Sequence, residues 1–103
     1  MSDPELDAEG YLVDPRTWSE VWAQAAAEKA RVVLTAEHWS ALRFIRAYHE
    51  EHGVPPDARF VIRHLAQTHG APRNRLFDLF PFGYAGDACR IAGMRRPRIW
   101  STG

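Results

Sequence analysis

The sequence predicts a mainly α-helical domain: a compact bundle of about five helices containing a helix-turn-helix-like pair, preceded by a small N-terminal β-hairpin and followed by a flexible C-terminal arm. Three observations predict it. Apolar residues recur at i, i+3, i+4 and i+7 in successive segments, the period of helices that bury one face. Most of these segments open on Asp, Thr or Asn and close on Gly or a Pro pair, the residue types that start and stop helices. With 103 residues, 46% hydrophobic and 25% charged, the chain has material for one modest core and reads as a single domain, 1–103.

Residues 1–6 are expected to be a mobile lead-in. Asp7-Ala8-Glu9-Gly10 is a turn signal and Tyr11-Leu12-Val13 is β-preferring, so a short hairpin pairing Glu5-Leu6 with Tyr11–Val13 is expected. Asp14-Pro15 reads as the start of the first helix, with Trp18, Val21, Trp22 and Ala25 as its core stripe. Thr35 caps the second and longest helix, whose inner face is Trp39, Leu42, Phe44 and Ile45. Ser40, Arg43, Arg46 and Glu50 are read as its outer face, and Gly53 with Pro55-Pro56 ends it. A third helix runs from about Asp57 to Gly70 on Ala58, Val61, Ile62, Leu65 and Ala66. Pro72 and Asn74 open a shorter one carrying Leu76, Phe77, Leu79 and Phe80, and Pro81 and Gly83 break it. Asp87 is expected to cap a last short helix over Ala88–Ala92, closed by Gly93; residues 95–103 have no period and read as the flexible arm.

Thirteen basic residues balance thirteen acidic ones, so no global field recruits nucleic acid or a membrane surface. The balance hides an asymmetry. Asp3, Glu5, Asp7 and Glu9 make the start acidic, while Arg90, Arg95, Arg96 and Arg98 make the end basic. No apolar run reaches the roughly 18 residues of a membrane span, and the acidic start lacks the pattern of a secretory signal. A single cysteine forms no internal disulfide. These readings fit a reducing cytoplasm.

Cys89 is the first candidate for chemistry. If Asp87 caps a helix, the thiol lies in its first turn, where unpaired N–H groups and Arg90 favour thiolate. The competing reading is a small buried residue between Ala88 and Ala92. None of His38, His49, His52, His64 and His69 is placed by the sequence to act as a base beside it. His49-Glu50-Glu51-His52 falls one residue short of the spacing that puts two imidazoles on one metal, so no metal or other cofactor is expected. The helix pair around Gly53–Pro56 would offer Arg59 and Arg63 to nucleic acid, against an ordinary solvated face. The terminal arginines with Ile99 and Trp100 have the composition of a docking peptide anchored by an aromatic, against a plain soluble tail.

Several of these residues together resemble a known family. Glu9-Gly10-Tyr11-Leu12, Trp18, Leu34-Thr35, Glu37-His38-Trp39, Phe44-Ile45-Arg46 and Tyr48 are similar to the DsrC/TusE family of sulfur-relay proteins, which includes the gamma subunit of dissimilatory sulfite reductase. So are Pro55, Arg59, Leu79-Phe80-Pro81, Gly83, Ala88-Cys89-Arg90, Ala92-Gly93-Met94 and Pro97. The resemblance implies a helical fold with a flexible arm, sulfur-metabolism partners such as sulfite-reductase-like or sulfur-transfer complexes, and no cofactor. In the family an arm cysteine accepts sulfur as a persulfide, and members acting with sulfite reductase add a second cysteine at the position of Cys89. Here Trp100 stands where the arm cysteine belongs, Tyr84 where proline is usual and Asp87 where glutamine is usual. The expectation is a regulatory or adaptor variant rather than a stand-alone enzyme, docking through Arg90, Arg95, Arg96, Arg98 and Trp100. The alternatives are a single-thiol sulfur carrier using Cys89 as persulfide site, and a helix-turn-helix DNA-binding regulator.

Overall fold

The computed structural model describes residues 4–95. After a 3₁₀ turn at Pro15–Thr17 come α1 (Glu20–Lys29), α2 (Ala36–His52), α3 (Ala58–His69), α4 (Arg75–Leu79) and a π-helix over Tyr84–Cys89. α2 is the spine: α3 packs along it, α4 lies on α3, and the π-helix closes over α2. Between them sits one core, with Leu42, Ile45, Val61, Leu65, Leu76, Phe80, Cys89 and Ile91 buried.

The expected N-terminal hairpin is not formed. The described residues contain no strand and no sheet, only one antiparallel bridge between Leu6 and Leu12. The reversal itself is real. Asp7 Oδ1 accepts the N–H groups of Glu9 and Tyr11, both at 2.9 Å, and Gly10 turns the chain at φ +88°. Only Asp7 N–H to Tyr11 O and Val13 N–H to Glu5 O cross the gap. A two-stranded ribbon so short has no third strand among the described residues to stabilise it, so the turn is built by a side chain instead. It is fastened to the helices by Leu12, fully buried, and by the Tyr11 hydroxyl, which donates to Ala85 O at 2.9 Å.

Asp14 is a cap as expected, but of the 3₁₀ turn alone: its Oδ1 accepts from Arg16 N–H at 3.0 Å. Trp18 is then extended, and α1 starts on Ser19, whose Oγ accepts from Trp22 N–H. The restart rotates the helix relative to the predicted stripe. Ala23 and Ala27 turn inward, Trp18 and Trp22 are half-buried, and Val21 is 82% exposed. Alanines at i and i+4 allow a closer approach to the core than the predicted larger face would.

α2 and α3 match the predicted bounds closely, ending on Gly53 and Gly70 in left-handed conformation. Two findings on α2 depart from its sequence pattern. His38, a polar residue in the first turn, is buried, and Arg46 is half-buried rather than outward. At the far end, Asp87 does not cap a new helix. It lies inside the π-helix, fully buried, and reaches back so that Oδ2 accepts Phe82 N–H at 2.9 Å. The segment begins on Gly83 at φ +94°, and small Ala85 and Gly86 allow the wider turn.

Candidate functional site

Cys89 is the last residue of the π-helix, not the first turn of a helix. It therefore lacks the helix-start position whose unpaired N–H groups would favour a thiolate. Its side chain is fully buried between α2 and the closing segment, in the cluster that contains Ala88, Ile91 and Ala92. Burial pushes the thiol up to about 12, and the Tyr84 hydroxyl, hydrogen-bonded to it, pulls the other way without restoring it. A thiol held that high stays protonated at neutral pH.

Tyr84 joins this end of the molecule to the α2–α3 connection. Its hydroxyl donates to the carbonyl of Pro56, a residue that is itself fully buried. Desolvation is the main reason its phenol titrates well above the ordinary range, so it is a neutral donor at any physiological pH.

Asp87 and Arg90 flank the thiol. Among the described residues Asp87 Oδ1 has no hydrogen-bond partner, and Arg90 Nη2 approaches it to 3.8 Å, an ion pair without a short bond. A Cβ added at Gly10 would stand 3.7 Å from Arg90 Nη1, so the Arg90 side chain lies beside the N-terminal turn. Its side chain is only 33% exposed. Arg95 is exposed, while Arg96, Arg98 and Trp100 lie outside the described residues.

His38 holds the opposite entry to the segment. Thr35 N–H donates to Nδ1 at 3.0 Å, which leaves Nε2 as the protonated nitrogen, donating to Leu79 O at 2.8 Å. The imidazole also meets Phe80 edge-on at 5.1 Å. Burial lowers its pKa, with the Leu79 bond and Glu37 acting in the opposite direction. Its structural role is not announced by composition. The available signal is Thr35-x-x-His38, a capping box with imidazole in place of the usual Glu or Gln.

Arg59 and Arg63 lie on α3, both exposed. Arg59 is paired with Asp57 at 3.2 Å and Arg63 lies over Phe60 at 5.9 Å, so the charge of this face is partly committed within the chain. Among the described residues no group of three or more His, Cys, Asp or Glu side chains could hold a metal, and no helix is long and apolar enough to cross a membrane.

A family model described as DsrC like protein matches residues 2–99. The sulfurtransferase TusE of Pectobacterium atrosepticum is 38% identical over 94 residues, 88% of this chain and 86% of that protein. The oxidized gamma-subunit of the dissimilatory sulfite reductase (DsrC) from Archaeoglobus fulgidus superposes with a TM-score of 0.85 at 37% identity, covering 91% of this chain and 89% of that one. DsrC of Allochromatium vinosum gives 0.80 at 33% identity, covering 91% and 87%. The chain belongs to the DsrC-like family.

Proposed function

We propose that this chain serves sulfur metabolism as a regulatory or adaptor member of its family, docking on a sulfur-transfer or sulfite-reductase-like partner through its C-terminal residues rather than carrying sulfur itself. One observation carries the reading. The only thiol of the sequence is fully buried, which pushes it up to about 12, while on the family resemblance Trp100 stands where the sulfur-accepting cysteine belongs. A persulfide forms by attack of a thiolate on an activated sulfur, and the step needs both ionisation and access. Cys89 has neither in this conformation. Tryptophan offers no sulfur nucleophile, but an aromatic flanked by Arg95, Arg96 and Arg98 is the composition of an anchor in a partner's groove.

Two proteins test the proposal against the single-thiol carrier. The parent chain and Trp100→Cys are incubated with a small persulfide donor and examined by mass spectrometry after peptide mapping. The adaptor reading expects added sulfur on the introduced thiol of Trp100→Cys and none on Cys89 in either protein. Sulfur on Cys89 of the parent supports the carrier instead. Nucleic-acid binding through Arg59 and Arg63 is the weakest of the three readings, and a mobility shift surviving moderate salt and competitor DNA would revive it.

A further inference from the structure

The last helical turn of the described chain ends at Ile91, and its carbonyls are satisfied in an unusual way. Gly93 N–H donates to Arg90 O and Met94 N–H to Cys89 O, at 3.0 and 2.9 Å, with Gly93 at φ +79°. This is a Schellman motif, which satisfies two of the four orphan carbonyls. The other two are taken by side chains from far away in the sequence. Trp18 Nε1–H donates to Ile91 O at 2.8 Å, and Arg46 Nη1–H to Ala92 O at 2.8 Å. Arg46 also donates from Nη2 to Pro15 O at 3.0 Å, and its guanidinium lies 4.3 Å from the Trp18 ring centroid. The cover is tight. A Cβ on Gly93 would stand 2.4 Å from Trp18 Cδ1 and 2.9 Å from Arg46 Nη1. Buried Met94 comes next, and Arg95 is the first exposed residue beyond it.

We infer that Trp18 and Arg46 form a clamp on residues 91–93 that sets the direction in which the chain leaves the body towards its C-terminus, making both of them positioning residues for docking. A planar guanidinium suits the task because it bridges two carbonyls and stacks on an indole at once, while an ammonium has no such fork. The clamp completes the helix end by taking the two carbonyls the Schellman motif leaves, and in doing so ties three distant pieces, the 3₁₀ turn, α2 and the root of the C-terminal segment. The device therefore does more than end a helix. It gives a docking segment a fixed origin, which reduces the freedom lost on binding. This rests on the docking reading only for its purpose; the geometry of the clamp is independent of it.

Spin labels placed on Arg95→Cys and Gln67→Cys, both exposed positions, in a Cys89→Ala background that leaves no other thiol, report the exit direction by pulsed dipolar distance measurement. A narrow distance distribution is expected with Arg46 intact, broadened about twofold by Arg46→Gln and less by Arg46→Lys. Amide exchange at Gly93 and Met94 should accelerate about tenfold more than at Ile45 or Leu65 in the core. Trp18→Phe keeps the aromatic platform and loses only the bond to Ile91 O, so it reads the same effect if Arg46→Gln does not fold. Unchanged width and exchange that accelerates equally everywhere would overturn the proposal, reducing both residues to general packing. The measurement involves no partner and no sulfur, so it can fail while Cys89 stays unreactive, and the persulfide result can fail while the clamp stands.

Discussion

Replacing Tyr84 by phenylalanine removes one oxygen and strands a carbonyl. The hydroxyl is the hydrogen-bond partner of Pro56 O, at a fully buried residue where α2 hands over to α3, and it also faces the Cys89 thiol. Leaving a buried acceptor unpaired costs about 1–3 kcal/mol, and the extra apolar ring edge recovers little of it. A chain of this length unfolds with an entropy of about 0.2 kcal/mol/K, so a loss of about 2 kcal/mol lowers Tm by about 9 °C. Thermal unfolding followed by circular dichroism gives the number directly. Tyr11→Phe is the internal comparison: its hydroxyl donates to Ala85 O at a half-buried site, so the loss there should be about 1 kcal/mol. If Tyr84→Phe melts within about 2 °C of the parent, the hydroxyl is not tying the π-helix to the α2–α3 connection and the reasoning about this core fails.

Three further outcomes are expected of the same structure. Burial holds His38 below its ordinary value of 6.5, so its contribution to stability is full above 6.5 and is lost as pH falls from there through the lowered folded value, the unfolded chain taking up the proton first; denaturant midpoints between pH 7.5 and 4.5 should slope less steeply in His38→Gln than in the parent. His64, also lowered mainly by burial, titrates in the same window, and His64→Gln must be run alongside to separate the two. Arg31 occupies the left-handed position after α1 at φ +60°, with Arg31 N–H to Glu28 O and Val32 N–H to Ala27 O completing a Schellman cap. Arg31→Gly should therefore stabilise by about 0.5–1 kcal/mol in urea melts, and a loss of stability would contradict this reading of the strain. Leu12→Ala empties a fully buried site and should cost about 2–4 kcal/mol, with amides of residues 7–13 exchanging faster than the helices.

The helices α2 and α3 are legible in the sequence because three signals coincide there. Thr35 and Asp57 start them, Gly53 and Gly70 stop them, and Leu42, Ile45, Val61 and Leu65 keep helical period between. The rest depends on tertiary bonds that composition does not encode. Tyr11–Val13 has strand composition, yet among the described residues no third strand pairs with it, so the Asp7 side chain ends up holding the turn. Asp87 has the look of an N-cap, and it does accept a backbone N–H, but from five residues earlier because the local helix is wider than α. That single shift moves Cys89 from a helix start to a helix end and changes its electrostatics. Arg46 reads as solvated because arginine usually is, although its place one turn after Leu42 puts it on the edge of the buried face. Its partners are carbonyls about thirty residues or more away, at Pro15 and Ala92, and no local pattern announces them.

Whether Cys89 packs or reacts is decided most directly by its alkylation rate in the native protein. Iodoacetamide in excess at pH 7.5, across a series of urea concentrations below the unfolding transition, gives the free energy of the opening that exposes the thiol. A packing cysteine predicts labelling that tracks global unfolding, with the same urea dependence as the equilibrium melt and complete modification only in denaturant. Labelling in native buffer at a rate near that of a free cysteine, independent of urea, would mean an accessible and ionisable thiol and would contradict the adaptor reading.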